Sequence, residues 1–295
     1  MRILSADVGG TAIKAGICEE DGSVLDFSEF PSHAEEGGPR LMETLCKVLE
    51  TYEKYDRIGL SITGQVDSGE GTIVFADDNV PGFTGTRVKD LVRDQFQVPV
   101  FVENDVNAAA VGEAHFGAGV SYDHFLCLTY GTGVGGAWIL NGSLYKGMEG
   151  IAGEVGHMIT HADGILCSCG CRGCYEKYAS ASALVRKARE LDDTLTDGRR
   201  IFRRMEEGDL RVKKVVDEWI DEITFGLVSL VHIFNPQCIV LGGGVMNQDY
   251  VIRETESRVH SRVMSSFRGV TLKKAMLGNR AGLMGAAYLA MTGEC

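Results

Sequence analysis

The chain has 295 residues, 44% hydrophobic and 24% charged, a balance that excludes a largely disordered chain and suits two domains. It has no unbroken apolar run of about eighteen residues, which argues against a membrane-spanning helix. The apolar stretch after Met1 is short and is interrupted by Asp7, so a signal peptide is not expected and a cytoplasmic location is. The net charge of -12, with no basic stripe, speaks against nucleic acid as a partner.

Apolar runs predict strands at 2–6, 12–18 and 23–27, with Gly9-Gly10 as the turn between the first two. Leu41, Leu45, Val48, Leu49 and Tyr52 recur at helical spacing. Further strands are expected at 57–62, 72–76 and 98–102, followed by a helix opening near Asn104 or Asp105. The pattern then restarts: residues 128–139 repeat the strand, glycine turn and strand of residues 6–17, with Gly9 falling on Gly131 at an offset of 122 residues. A helix is predicted from about Ser180 and a longer one from Asp209 to Phe234, with Val216, Trp219, Ile220, Ile223, Leu227, Leu230 and Val231 as its buried side. Asn235-Pro236 ends it. A strand at 238–241 runs into Gly242-Gly243-Gly244, and a last helix follows Asn279. The charged stretch 186–214 reads as solvated surface. Strands alternating with helices give an α/β fold of two similar lobes.

Glycine supplies 38 of 295 residues, nearly twice the usual share of about 7%. Three glycine loops follow apolar strands: Gly9-Gly10-Thr11, Gly131-Thr132-Gly133 and Gly242-Gly243-Gly244. Backbone N–H groups in such turns can hold phosphate oxygens. A single loop would be no more than a tight turn, but three of them, two at equivalent places, favour a nucleotide. None has P-loop spacing. Asp7, beside the first loop, could hold a water on Mg²⁺, or it could cap the turn. Lys14 lies on the hairpin and either assists phosphate or faces solvent.

Residues 103–110 read Glu-Asn-Asp-Val-Asn-Ala-Ala-Ala and deliver four polar residues to a helix start. Asn104 or Asp105 could be an N-cap. In the functional reading, Asn104 binds a substrate hydroxyl and Asp105 takes its proton. At a helix N-terminus Asp105 is expected to be ionised at neutral pH, and therefore a weak base.

His157, Cys167, Cys169 and Cys174 match a tetrahedral zinc site with no position left open, so the metal would be structural. Zinc is preferred to free thiols or to a disulfide, which a reducing compartment disfavours. Cys171 is a fifth candidate ligand. Glu154 and Glu176 flank the cluster and could face a polyol; taken alone they read as surface acids. The remaining cysteines, Cys18, Cys46, Cys127, Cys238 and Cys295, read as core filler or surface thiols.

Together these segments resemble the ROK family of sugar kinases in the actin-like ATPase superfamily. The motifs are D-V-G-G-T-A-I-K-A-G at 7–16, E-N-D-V-N-A-A-A at 103–110, G-T-G-V-G-G at 131–136, G-E-V-G-H at 153–157 with C-S-C-G-C-R-G-C-Y-E at 167–176, and L-G-G-G-V at 241–245. The resemblance implies two actin-like, ribonuclease H-like lobes with mixed sheets flanked by helices, and ATP and sugar in the cleft between them. The N-terminal lobe would span 1–115, with the helix at about 280–295 packing back on it, and the C-terminal lobe 116–279. ATP with Mg²⁺ would be the phosphate donor and a hexose hydroxyl the acceptor, with Asp105 as base. Gly64, Asn79, Asn104, Glu154, His157 and Glu176 would bind the sugar. Asp7, Lys14 and the three glycine loops would hold ATP, and His157, Cys167, Cys169 and Cys174 a structural Zn²⁺. A homodimer or homotetramer is implied.

The chain departs from the family pattern at Cys171, in the proline-free segment 61–67, and at Asp78 before Asn79, where proline is more usual. Glucose is the first candidate sugar; N-acetylmannosamine, N-acetylglucosamine, fructose and β-glucosides are alternatives. A sugar-sensing ROK regulator is the non-enzyme reading, opposed by a first phosphate motif at residue 7 that leaves no room for a preceding DNA-binding domain. A zinc-ribbon nucleic-acid module is opposed by the net charge.

Overall fold

In the computed structural model, which describes residues 1–77 and 79–293, the glycine-turned hairpins anticipated above begin two sheets of the same topology. Asp78 and Cys295, both named above, lie outside the described residues. The strands are β1 Ile3–Val8, β2 Ala12–Cys18, β3 Val24–Pro31, β4 Arg57–Ile62, β5 Gln65–Asp67, β6 Thr72–Phe75, β7 Val100–Asn104, β8 Phe125–Tyr130, β9 Val134–Leu140, β10 Ser143–Leu144, β11 Cys238–Gly242 and β12 Thr271–Lys274. The helices are α1 Gly38–Leu49, α2 Val88–Phe96, α3 Asp105–Phe116, α4 Glu176–Ala179, α5 Ala181–Leu191, α6 Gly198–Glu206, α7 Leu210–Phe234, α8 Asp249–Arg262 and α9 Ala281–Thr292.

The first sheet runs β3-β2-β1-β4-β7 and the second β10-β9-β8-β11-β12. In the first, β1 is antiparallel to β2 and parallel to β4, which is parallel to β7. In the second, β8, β11 and β12 are mutually parallel in the same places. A small ribbon, β5-β6, stands apart. The chain divides into two units: 1–123, 137–152 and 276–295 form the first, and 124–136 with 153–275 the second. Residues 137–152 therefore group with the first unit, an excursion that a single boundary near 115 does not anticipate. No helix among the described residues is long and apolar enough to cross a membrane.

Within the first unit, α3 and α9 meet through small residues. A side chain at Gly285 would collide with the Ala108 carbonyl, and one at Gly112 with the Ala281 carbonyl. Only backbone-to-backbone approach fits there, so helix interiors that would ordinarily prefer alanine keep glycine. Gly59 on β4 is required in the same way by the Ala286 carbonyl. Ser5 Oγ on β1 donates to Leu283 O (2.7 Å), and Arg57 Nη1 caps the far end of α9 at Ala290 O (2.8 Å). Glu113, 1% exposed, accepts the backbone N–H groups of Ala118, Met276 and Leu277 and so fixes the segment entering α9.

In the second unit the apolar stripe of α7 is buried as its spacing predicts, with Trp219 donating Nε1–H to Ala179 O (2.9 Å). The stretch 186–214 is largely solvated, but α6 buries Ile201 and Phe202 within it. α5 starts after Ser180, which caps it by accepting from Ala183 N–H. Gly285→Ala should lower stability by about 3 kcal/mol, because a backbone carbonyl cannot step aside. Gly269→Ala, where the new methyl meets nothing, should stay within about 0.5 kcal/mol. Urea unfolding of the two variants checks the contrast.

Candidate functional site

The first unit gathers one group of candidate residues at the ends of its parallel strands. Register pairs Asp7 of β1 with Lys14 on β2 and with Ser61 on β4. Lys14 Nζ approaches Asp7 Oδ2 at 3.3 Å, and Ser61 Oγ donates to Asp7 Oδ1 at 2.7 Å. Lys14 is largely buried, with 19% of its side chain exposed, so it pairs with Asp7 rather than facing solvent. The backbone of Gly282 in the first turn of α9 lies against the same carboxylate, where an added methyl would stand 2.6 Å from Asp7 Oδ1. In the sequence Ser61 stands out only as the start of the proline-free segment 61–67, and Gly282 not at all, since a glycine in an apolar helix is ordinary. Gly10 and Thr11 are exposed, and a side chain at Gly10 would meet nothing.

Asn104 ends β7 and caps α3. Its Oδ1 accepts from Val106 N–H (2.9 Å) and Asn107 N–H (3.1 Å). Its Nδ2 donates to Gly64 O (2.9 Å) and Asp105 Oδ1 (3.0 Å). The amide's four usual bonds are thus spent within the protein, so binding a hydroxyl would require one of them to be exchanged. Gly64, at φ +100, turns its carbonyl to Asn104, and a side chain there would press on Phe75 O.

Asp105 differs from the sequence expectation. Its carboxyl is pushed up to about 7, first by burial and next by the charge of Asp7, against the lowering effect of Val106 N–H and Asn104. Here desolvation and a like charge outweigh the helix N-terminus. The group is near half-protonated at neutral pH rather than fully ionised, and it is a stronger base for that reason. Asn79 is exposed and bonds locally, its Nδ2 donating to Asp77 Oδ2 (2.6 Å).

The second unit gathers the rest. Loops 131–133 and 242–244 leave neighbouring strands, and Gly243, at φ +101, lies so close to Tyr130 O that a side chain there would collide with it. Gly131 and Gly244 face open space. Gly133 lies against Glu176, whose Oε2 would be 2.6 Å from an added methyl. Glu176 Oε1 accepts from Cys167 Sγ (3.3 Å), so one carboxylate touches both the second loop and the cysteine cluster. Glu154 is exposed, 3.8 Å from His157 Nε2. Beneath them Tyr175 is fully buried, its hydroxyl donating to Ile223 O (2.8 Å) and meeting Tyr130 Oη (2.9 Å). Gly226 of α7 makes room for its ring.

The ligand atoms of His157, Cys167, Cys169 and Cys174 all lie within 4.8 Å of one another. His157 Nδ1 and Cys167 Sγ are 3.6 Å apart, as are Cys169 Sγ and Cys174 Sγ. Zinc–sulfur bonds of about 2.3 Å in a tetrahedron put neighbouring sulfurs about 3.8 Å apart, so the donor set fits zinc with little movement. Cys171 is exposed and stands outside the cluster. Its backbone N–H instead draws the Cys169 thiol down to about 7.

The architecture, mixed sheets flanked by helices, is that of the actin-like ATPases. A model of the ROK family matches residues 3–292, and the chain belongs to that family. It is 31% identical over 309 aligned positions to the glucokinase of Thermotoga maritima, covering 98% of this chain and 97% of the relative. A ROK family glucokinase from Streptomyces griseus, solved in complex with glucose and AMPPNP, matches with a TM-score of 0.90 at 31% identity over 99% of this chain and 100% of that one. The xylose repressor of Bacillus subtilis is 30% identical over 234 positions, covering 79% of this chain and 60% of the repressor.

Because Asp7 raises Asp105, Asp7→Asn should move the Asp105 titration toward the ordinary carboxylate range. Carbon-13 NMR of labelled aspartate reads this without turnover. The folded value lies above the unfolded one, so Asp105 favours folding at low pH, and that contribution is lost as pH rises from the usual carboxylate range through about 7. A midpoint unchanged in Asp7→Asn would remove Asp7 as a cause.

Proposed function

We propose that this protein is an ATP-dependent hexose kinase, transferring the γ-phosphoryl group of ATP to a sugar hydroxyl, with the 6-hydroxyl of glucose as the first candidate. The observation that carries the reading is Asp105: a carboxyl raised to about 7 at the head of α3, bonded by the amide that caps the helix. A base matched to neutral pH suits abstraction of a hydroxyl proton. The family relatives that are glucokinases support the substrate class.

In this reading the sugar oxygen attacks the γ-phosphorus as its proton passes to Asp105. The bond to the β,γ-bridging oxygen breaks, and ADP and the sugar phosphate leave. Asn104 fixes the Asp105 carboxyl by donating to Oδ1. Gly64, Asn79, Glu154, His157 and Glu176 would orient the sugar. Gly9, Gly10, Thr11, Gly131, Thr132, Gly133, Gly242, Gly243 and Gly244 would offer backbone and hydroxyl donors to the nucleotide. Asp7, paired with Lys14, would hold Mg²⁺, which when bound with ATP offsets phosphate charge. His157, Cys167, Cys169 and Cys174 would hold Zn²⁺, which when bound would cross-link the segment leading into Glu176.

The xylose repressor among the relatives favours one second reading, a sugar-binding regulator without turnover. ADP release with Mg-ATP against a panel of hexoses, N-acetylhexosamines and β-glucosides separates the two. Glucose-dependent ADP release is expected, and Asp105→Asn should cut kcat about 1000-fold while glucose binding by calorimetry stays within about threefold. Sugar binding with no ADP release from any member of the panel would move the chain to the regulator class.

The zinc assignment has its own readout. Metal analysis should find one zinc per chain, lost in Cys174→Ser with a fall in Tm, and kept in Cys171→Ser. Zinc lost equally from both variants would mean that the ligand set is wrong.

A further inference from the structure

Behind the candidate base lies a buried charge that the proposed reaction does not use. Glu103, 1% exposed, is the last buried residue of β7 before the α3 cap. Its Oε1 accepts from Asn104 N–H (3.0 Å) and from Asn107 Nδ2 (3.0 Å). Both donors belong to the junction that carries Asp105. Its Oε2 faces Lys146 Nζ at 2.7 Å, an ion pair rather than an aligned hydrogen bond. Lys146 comes from the excursion 137–152 and also donates to Ser68 Oγ (2.7 Å), just past β5. A buried carboxylate without its partner is costly and seeks another arrangement. Lys146 pairs with one oxygen of Glu103 while the other binds the N-cap and first turn of α3.

We propose that Lys146 is a positioning residue for phosphoryl transfer: through its ion pair with Glu103 it locks the β7–α3 junction and so sets the direction of the Asp105 carboxyl. This inference rests on the reading of Asp105 as the base. Among the described residues, the polar partners of Lys146 are Glu103 and Ser68, not Asp105. Its loss should therefore act on the chemical step and leave nucleotide affinity alone, since small misplacements of a reacting group cost rate steeply.

The test uses the full chain and four variants: Lys146→Met, Lys146→Arg, Glu103→Gln and the double variant Glu103→Gln/Lys146→Met. Lys146→Met should lower kcat about 10- to 100-fold with KM for ATP within about twofold, and Lys146→Arg should recover most of the rate. In the Glu103→Gln background, Lys146→Met should have little further effect, because the pair acts as one unit. The double variant removes both charges and keeps the comparison available if Lys146→Met folds poorly. Hydrogen exchange of the 103–108 segment, followed by mass spectrometry, should quicken in Lys146→Met and not in Lys146→Arg, with the rest of the first sheet unchanged.

Independent, additive losses, an ATP KM that rises with kcat unchanged, or an arginine variant as impaired as the methionine variant would overturn the proposal. Should the parent protein release no ADP with any sugar, the kinase reading fails on its own. The exchange experiment still decides the clamp: unchanged exchange in Lys146→Met refutes it.

Discussion

The first unit depends on how closely two helices can approach. α3 and α9 touch backbone to backbone because Gly112 and Gly285 carry no side chain where the Ala281 and Ala108 carbonyls pass. That contact fixes two things at once. It sets the axis of α3, whose first residue is Asp105, and it brings the first turn of α9 against Asp7, with Gly282 leaving room for the carboxylate. The like-charge effect of Asp7 on Asp105 is therefore a consequence of helix packing. Glu113 reinforces the arrangement by binding the segment that enters α9.

The two sheets carry out one plan twice, and the differences between them are informative. β1-β2 and β8-β9 correspond residue for residue at the offset read from the glycines, and β4 and β11 occupy the same place in each sheet. The first sheet ends its parallel strands in carboxylates and amides: Asp7, then Asn104 and Asp105. The second ends its strands in glycine loops, Gly131–Gly133 and Gly242–Gly244, and adds the cysteine loop with Glu176. The candidate acid–base groups thus lie in one copy, and the glycine loops with the Cys/His cluster in the other.

What the sequence made legible were features whose chemistry is local. Cys167, Cys169 and Cys174 fall within a few residues, and the structure brings their sulfurs together with His157. The hairpins were legible because apolar runs flank a glycine turn, and the stripe of α7 because its period is that of a helix. The cap of α3 was legible only as an alternative, since composition cannot show that Asn104 spends its whole amide on four internal partners. The Glu103–Lys146 pair was invisible because its members lie far apart in the chain and a lysine after a short strand reads as surface. Gly112 and Gly285 carry no sequence signal of their role, which lies in the carbonyl opposite each.

The protonation state of Asp105 is not legible in sequence because the helix N-terminus is visible there and its competitors are not. A helix N-terminus stabilises a carboxylate by roughly 0.3–1 kcal/mol at an exposed site, which would keep Asp105 ionised. Burial and a neighbouring carboxylate act in the opposite direction and prevail here. Their balance places the group where a proton can be both taken and released at neutral pH. Lys14 and Ser61 pair with the two oxygens of Asp7 and so fix the position of the carboxylate that acts on Asp105. The basicity of Asp105 is thus a property of the whole strand-end cluster. Glu103 and Lys146 contribute direction to that cluster rather than basicity, as an ion pair with no net charge set behind the helix cap.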